Sequence, residues 1–71
     1  MSSVSWKDVA KYIEASFNTS GMVDRSIALE KAFNQQAPDN VVDAIDGLGS
    51  KIFPNPDAAR QFLKEKGYIT E

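Results

Sequence analysis

Cysteine and histidine are both absent from this chain of 71 residues. That excludes disulfides, thiol redox chemistry and zinc sites of the Cys/His kind. Nucleophilic catalysis needs a nucleophile beside a base, and here only lysines or carboxylates remain to activate a serine. The chain is therefore expected not to be an enzyme and to carry no cofactor and no metal. Long apolar runs are missing too: nothing approaches the ~20 consecutive apolar residues that span a bilayer. Residues Met1 to Trp6 show no basic stretch followed by an apolar one. The expectation is a cytoplasmic protein with no membrane partner. An excess of charge is lacking as well, because eight Lys and Arg stand against ten Asp and Glu, a formal net charge of −2. Bulk charge thus steers the chain neither toward nucleic acid nor toward anionic lipid, and any such binding needs a local patch.

No linker and no low-complexity segment divides the sequence, so residues 1–71 read as a single helical domain. Hydrophobic residues make up 42% and charged residues 25%, enough for one core and not for two. A domain of this size buries only roughly 60% of the surface its unfolded chain exposes, so its stability margin is narrow. Nothing covalent widens it.

Four helices follow from spacing and punctuation. Ser5-Trp6-Lys7-Asp8 reads as a start, with the Ser5 hydroxyl capping the Asp8 amide. Trp6, Val9, Ala10, Ile13 and Phe17 then recur at three- and four-residue spacing, opposite Lys7, Lys11 and Glu14, and define an amphipathic helix of about three turns. The turn formers Asn18-Thr19-Ser20-Gly21 end it. A second helix is expected from Val23 to Gln35, with Arg25, Glu30 and Lys31 outward. Ala37-Pro38-Asp39 opens a third, with proline at its first position and Val41, Val42, Ile45 and Leu48 buried. Gly47 and Gly49 close it, and Lys51-Ile52-Phe53 is extended ahead of Pro54, with Phe53 plugging the core.

Asn55-Pro56-Asp57 is the strongest local signal: an Asn cap, proline at the first helical position and an acid in the first turn. The fourth helix runs from about Pro56 to Lys66, buries Ala59, Phe62 and Leu63, and stops at Gly67. Tyr68 and Ile69 fold back as an apolar lid. An alternative pairs Ile52-Phe53 with Tyr68-Ile69 as a two-residue β bridge. The fold class expected is all-α, a compact bundle of four short helices, with a minimal two-residue β bridge only under that alternative. Its core is expected at Trp6, Val9, Ile13, Phe17, Ile27, Phe33, Ile45, Leu48, Phe53, Phe62 and Leu63.

Two charged sets stand out. Asp39, Asp43 and Asp46 fall at i, i+4 and i+7, so three carboxylates share one face of the third helix. The plain explanation is a solvated face, and the functional one is a docking surface for a basic partner. A metal is disfavoured, because hard cations take ligands fanned around a loop. Lys51, Arg60, Lys64 and Lys66 hold half of the basic residues and make a small basic patch on the last helix conceivable, against the plain explanation of lysines balancing a helix C-terminus. A helix-turn-helix fits poorly, since the interval from Leu48 to Pro56 exceeds its short turn and the third helix is acidic. Among the aromatics, Trp6 is expected mainly in the core and Tyr12 mainly outside it.

Val42-Asp43-Ala44-Ile45-Asp46-Gly47-Leu48, then Phe53, then Asn55-Pro56-Asp57-Ala58-Ala59, resembles the bacterial family known as domain of unknown function 2795. The resemblance covers about residues 41 to 63. Asn55 stands where that family places a hydroxyl cap, and Phe17-Asn18 lacks the family's aromatic-proline pair. The resemblance implies a helical hairpin and brings no activity, ligand or catalytic residue.

Exclusion of the other classes leaves a small non-enzymatic protein-interaction or regulatory module as the expected function. Its partner is expected to be another protein, and its state a monomer or weak homodimer joined through Tyr12 or Tyr68. The alternative is a nucleic-acid-binding accessory protein that uses the basic patch.

Overall fold

The computed structural model describes residues 4–70. In chain order they form α1 (Trp6–Ser20), β1 (Val23–Asp24), α2 (Arg25–Asn34), α3 (Asp39–Asp46), β2 (Ile52–Phe53) and α4 (Pro56–Lys66). This is the four-helix all-α class expected from the sequence, with one small antiparallel strand pair. No helix among the described residues is long and apolar enough to cross a membrane.

Helix α1 begins after Ser5, whose backbone is extended, but the Ser5 hydroxyl makes no cap bond. The Asp8 amide donates instead to the Ser5 carbonyl at 3.0 Å. The helix runs a turn longer than the turn formers suggested, because Gly21 rather than Asn18 takes the left-handed conformation, at φ 79°. Its inward stripe is Val9, Tyr12, Ile13 and Ser16, while Trp6 and Phe17 pack on the rim of the core. Tyr12 is only 5% exposed, which corrects its placement outside. The stripe is rotated toward Tyr12 because Ser16 has a buried task.

The Ser16 hydroxyl accepts from the Asp24 amide at 2.9 Å and lies 3.1 Å from the Met22 carbonyl and 3.3 Å from that of Asp24. It thereby fastens β1 to α1. Val23 and Asp24 were expected in the second helix and are strand instead. The Asp24 carboxylate accepts from the Ser26 amide at 2.8 Å and caps α2, so the helix starts one residue later, at Arg25. Val23 lies opposite Phe53 and Asp24 opposite Ile52. Ile52-Phe53 therefore pairs with this segment and not with Tyr68-Ile69. Ile69 makes a single parallel bridge to Val4.

Helix α2 buries only Ala28 and Ala32, and packs against both α1 and α3. Small side chains permit this close approach, and they leave Phe33, expected in the core, 62% exposed on the last turn. Ile27 is half-buried. Helix α3 begins at Asp39 with Pro38 as its N-cap residue, one position earlier in the cap than expected. It buries Val41, Ala44 and Ile45, with Leu48 just beyond its end. Phe53 is buried and meets the half-buried Phe62 with ring centroids 5.2 Å apart.

Helix α4 has the expected bounds. The Asn55 side chain accepts from the Ala58 amide at 2.9 Å, Pro56 follows, and Gly67 ends the helix at φ 83°. The core converges on Val9, Ile13, Val23, Ile45, Leu48 and Leu63, each essentially without solvent contact.

Candidate functional site

At 3.6 residues per turn, Asp39, Asp43 and Asp46 stand in a row on α3, on the side away from Val41 and Ile45. They line an open groove of about 560 Å³ together with Gly47 at the end of α3 and with Gly67 and Tyr68. The three carboxylates singled out in the sequence are thus brought to one concave surface. Tyr68 and Gly67, which complete it, come from beyond the end of α4.

Backbone bonds position Tyr68. The Tyr68 amide donates to the Leu63 carbonyl at 3.0 Å, and the Tyr68 carbonyl accepts from the Val4 amide at 3.4 Å. The Thr70 amide donates to the Val4 carbonyl at 3.0 Å, and Ile69 is buried between these bonds. Tyr68 itself stays 42% exposed, so half of the expected apolar lid faces the groove. Its ring lies against the Gly47 backbone: a Cβ at position 47 would sit 2.6 Å from Cε2 and 2.9 Å from Cγ of Tyr68. Gly47 has ordinary helical angles, φ −63° and ψ −14°. A side chain at position 47 would therefore displace the Tyr68 ring, while the backbone itself does not call for glycine.

The carboxylates differ in company. Asp46 accepts from Arg25 Nη1 at 2.9 Å in an exposed ion pair that ties α2 to α3. Among the described residues no ion pair engages Asp39 or Asp43. No group of three or more carboxylates among the described residues converges closely enough to hold a metal ion. A second, smaller depression of about 220 Å³ lies between α1 and the start of α3, beside Asp8, Lys11 and Tyr12.

The four basic residues of the last third are divided. The Arg60 guanidinium lies over the Trp6 ring at 5.8 Å. The Lys51 ammonium lies over Phe53 and Phe62 at 5.7 and 5.3 Å, and that of Lys66 over Phe62 at 5.5 Å. Lys64 and Lys66 are roughly 160° apart around α4 at 3.6 residues per turn. Arg60 and Lys64 therefore occupy one flank of the helix, and Lys66, joined by Lys51, the other. The charged groups of Arg60, Lys51 and Lys66 thus lie over aromatic rings, a common use of long basic side chains beside apolar surface.

Sequence reasoning found the acidic row and missed the part of Tyr68. Gly47 looked only like a helix stop, and Tyr68 like a core lid. Their contact joins positions 21 residues apart, and no local spacing announces it. No family model matches the chain, and no curated protein or solved structure matches it either.

Proposed function

We propose that this chain is a non-enzymatic interaction or regulatory module that receives a basic segment of a protein partner in the groove beside α3. The observation that carries this reading is one groove lined by Asp39, Asp43 and Asp46 together with the half-exposed Tyr68. A lysine or arginine entering it gains carboxylate partners and an aromatic ring. Asp39 and Asp43 have no ion-pair partner among the described residues, which leaves them open to such a side chain. Exposed ion pairs contribute about 0.2–1 kcal/mol each, so the carboxylates alone support only a weak complex. The Tyr68 ring supplies the remainder, and the affinity expected is micromolar and sensitive to salt.

The same proposal includes a cytoplasmic setting, which a chain without cysteine permits, and a monomer or weak homodimer as the free state. Membership of the family that residues 41 to 63 resemble is part of it, and assigns no activity. The competing reading, nucleic acid on Lys51, Arg60, Lys64 and Lys66, is less favoured because those cations are split between two flanks of α4.

Fluorescence anisotropy decides between the two. A labelled peptide of alternating lysine and leucine is titrated against the protein, and a single-stranded oligonucleotide of matched length is titrated in parallel. Peptide binding that falls with salt and weakens severalfold in Asp43→Asn supports the groove. Oligonucleotide binding that weakens in Lys66→Glu, with no peptide binding, overturns it.

A further inference from the structure

Helix α2 leaves one face uncovered. Its buried side chains are Ala28 and Ala32, and Phe33 is 62% exposed, more than any other large hydrophobic side chain among the described residues. Arg25, Leu29 and Phe33 stand at i, i+4 and i+8 and so form one row along the helix. Helix α3 returns antiparallel to α2, because residues 35–38 alone connect the two and Arg25, the first residue of α2, pairs at 2.9 Å with Asp46, the last of α3. Val42 lies about one turn before Asp46 on the same flank, which sets it level with Leu29. Asp39, at the start of α3, returns to that flank two turns before Asp46 and is level with Phe33. The seam between the helices therefore reads, from one end to the other, Arg25 with Asp46, half-buried Leu29 with half-buried Val42, and exposed Phe33 with Asp39. The groove opens on the far flank of α3, over Asn40, Ala44 and Gly47, and neither Leu29, Phe33 nor Val42 lines it.

We propose that this seam is a self-association face, on which a second copy of the chain docks about a two-fold axis at the level of Leu29 and Val42. Charge complementarity selects that occupant. One end of the seam offers the Arg25 guanidinium, and the other an exposed aromatic ring and the Asp39 carboxylate, which no ion pair engages among the described residues. A two-fold axis across the seam turns one copy end for end, so each Arg25 arrives over Phe33 and beside Asp39 of the second copy, and both contacts are made twice. An aromatic face and a carboxylate are the partners a guanidinium takes best. Arg25 keeps its bond to Asp46 meanwhile, since the group has five donor hydrogens and the side chain is 39% exposed. Leu29 and Val42 meet their counterparts in the middle. A formal net charge of −2 per chain opposes the approach only weakly. Arg25 and Phe33 are about 12 Å apart along α2, so the face falls short of the roughly 800 Å² a side that stable complexes bury, and the dimer is weak, with a Kd of about 10⁻⁴ M. The inference goes beyond the groove reading: it names the face through which two free copies meet, in place of Tyr12, which is buried.

Sedimentation equilibrium of the full chain from about 10 µM to about 1 mM tests the face. The wild type is expected to pass from monomer to dimer across that range, and Phe33→Ser to stay monomeric, its Kd raised at least about tenfold. Melting temperatures at the lowest concentration, where both are monomers, are expected to agree, which separates lost docking from lost folding. Two charge variants then test the two-fold pairing. Arg25→Glu alone sets carboxylate against carboxylate at both ends of the dimer, and Asp39→Lys alone sets cation against cation, so each is expected to be monomeric. Mixed in equal amounts they bring opposite charges together at both ends, and a dimer holding one copy of each is expected to return with a Kd within about threefold of the wild type. A wild type that stays monomeric at the highest concentration overturns the proposal. So does a wild-type dimer that Phe33→Ser leaves intact, or one that mixing the two charge variants does not restore, because the copies then meet elsewhere or in another order.

Discussion

The N-termini of α2 and α4 are both capped by a side chain, Asp24 onto the Ser26 amide and Asn55 onto the Ala58 amide. Yet only α4 has the bounds its sequence suggests. Asn55 is followed by Pro56, which removes an amide that would otherwise lack a partner and fixes the backbone for the first turn. Everything that sets this boundary lies within four residues. Asp24 is preceded by Val23, which continues the apolar pattern of α2, so spacing alone extends the helix backward. What stops it is the Ser16 hydroxyl, which takes the Asp24 amide and leaves Val23 and Asp24 extended against Phe53 and Ile52. One boundary is local chemistry and the other is a tertiary hydrogen bond. The difference teaches that a cap is legible when its neighbours forbid continuation, and hidden when they permit it.

Substitutions sharpen this contrast. The largest effect belongs to Ser16→Ala, which removes the buried hydroxyl that accepts from the Asp24 amide and leaves that amide unpaired, at a cost of about 1–3 kcal/mol. Urea unfolding should register that loss, and hydrogen exchange should show Asp24 losing protection while the amides of α4 lose it only as far as global stability falls. If Asp24 stays protected in a folded Ser16→Ala variant, the tertiary account of β1 is wrong. Asn55→Ala comes next, with an expected loss of about 1 kcal/mol, and Asn55→Asp should recover most of it, because either side chain caps. No recovery would mean that Pro56 alone sets the start of α4. The smallest effect is Phe33→Ser, expected within about ±0.5 kcal/mol because the ring is exposed. A large loss there would restore Phe33 to the core position its spacing suggested.

The site shows the same split between local and distant causes. Asp39, Asp43 and Asp46 were recognisable as one face because a helix fixes the angular relation of residues three and four apart. The division of Lys51, Arg60, Lys64 and Lys66 was partly latent in the same geometry, since Lys64 and Lys66 are two positions apart on α4 and so cannot share a face. What spacing could not give was the Tyr68 ring against Gly47, a contact made only once α4 has packed and its terminal segment has turned back through Gly67. Tyr12 was misplaced for a related reason. The inward stripe of α1 is centred by Ser16, and nothing in the periodicity of apolar residues marks a serine as buried.

By itself the sequence determined the helical class, the α4 boundaries, the plug at Phe53 and the absence of cysteine and histidine chemistry. These follow from composition, from the 3.6-residue period and from caps whose partners lie within one turn. The tertiary structure alone decided that Val23 and Asp24 are a strand, that Ala28 and Ala32 rather than Phe33 face the core, and that Tyr68 joins the acidic row in one groove. Each of these depends on a contact between residues far apart in the chain. Such a contact is chosen by how whole helices fit together, and local preference, worth at most about 1 kcal/mol per residue outside proline, yields to it.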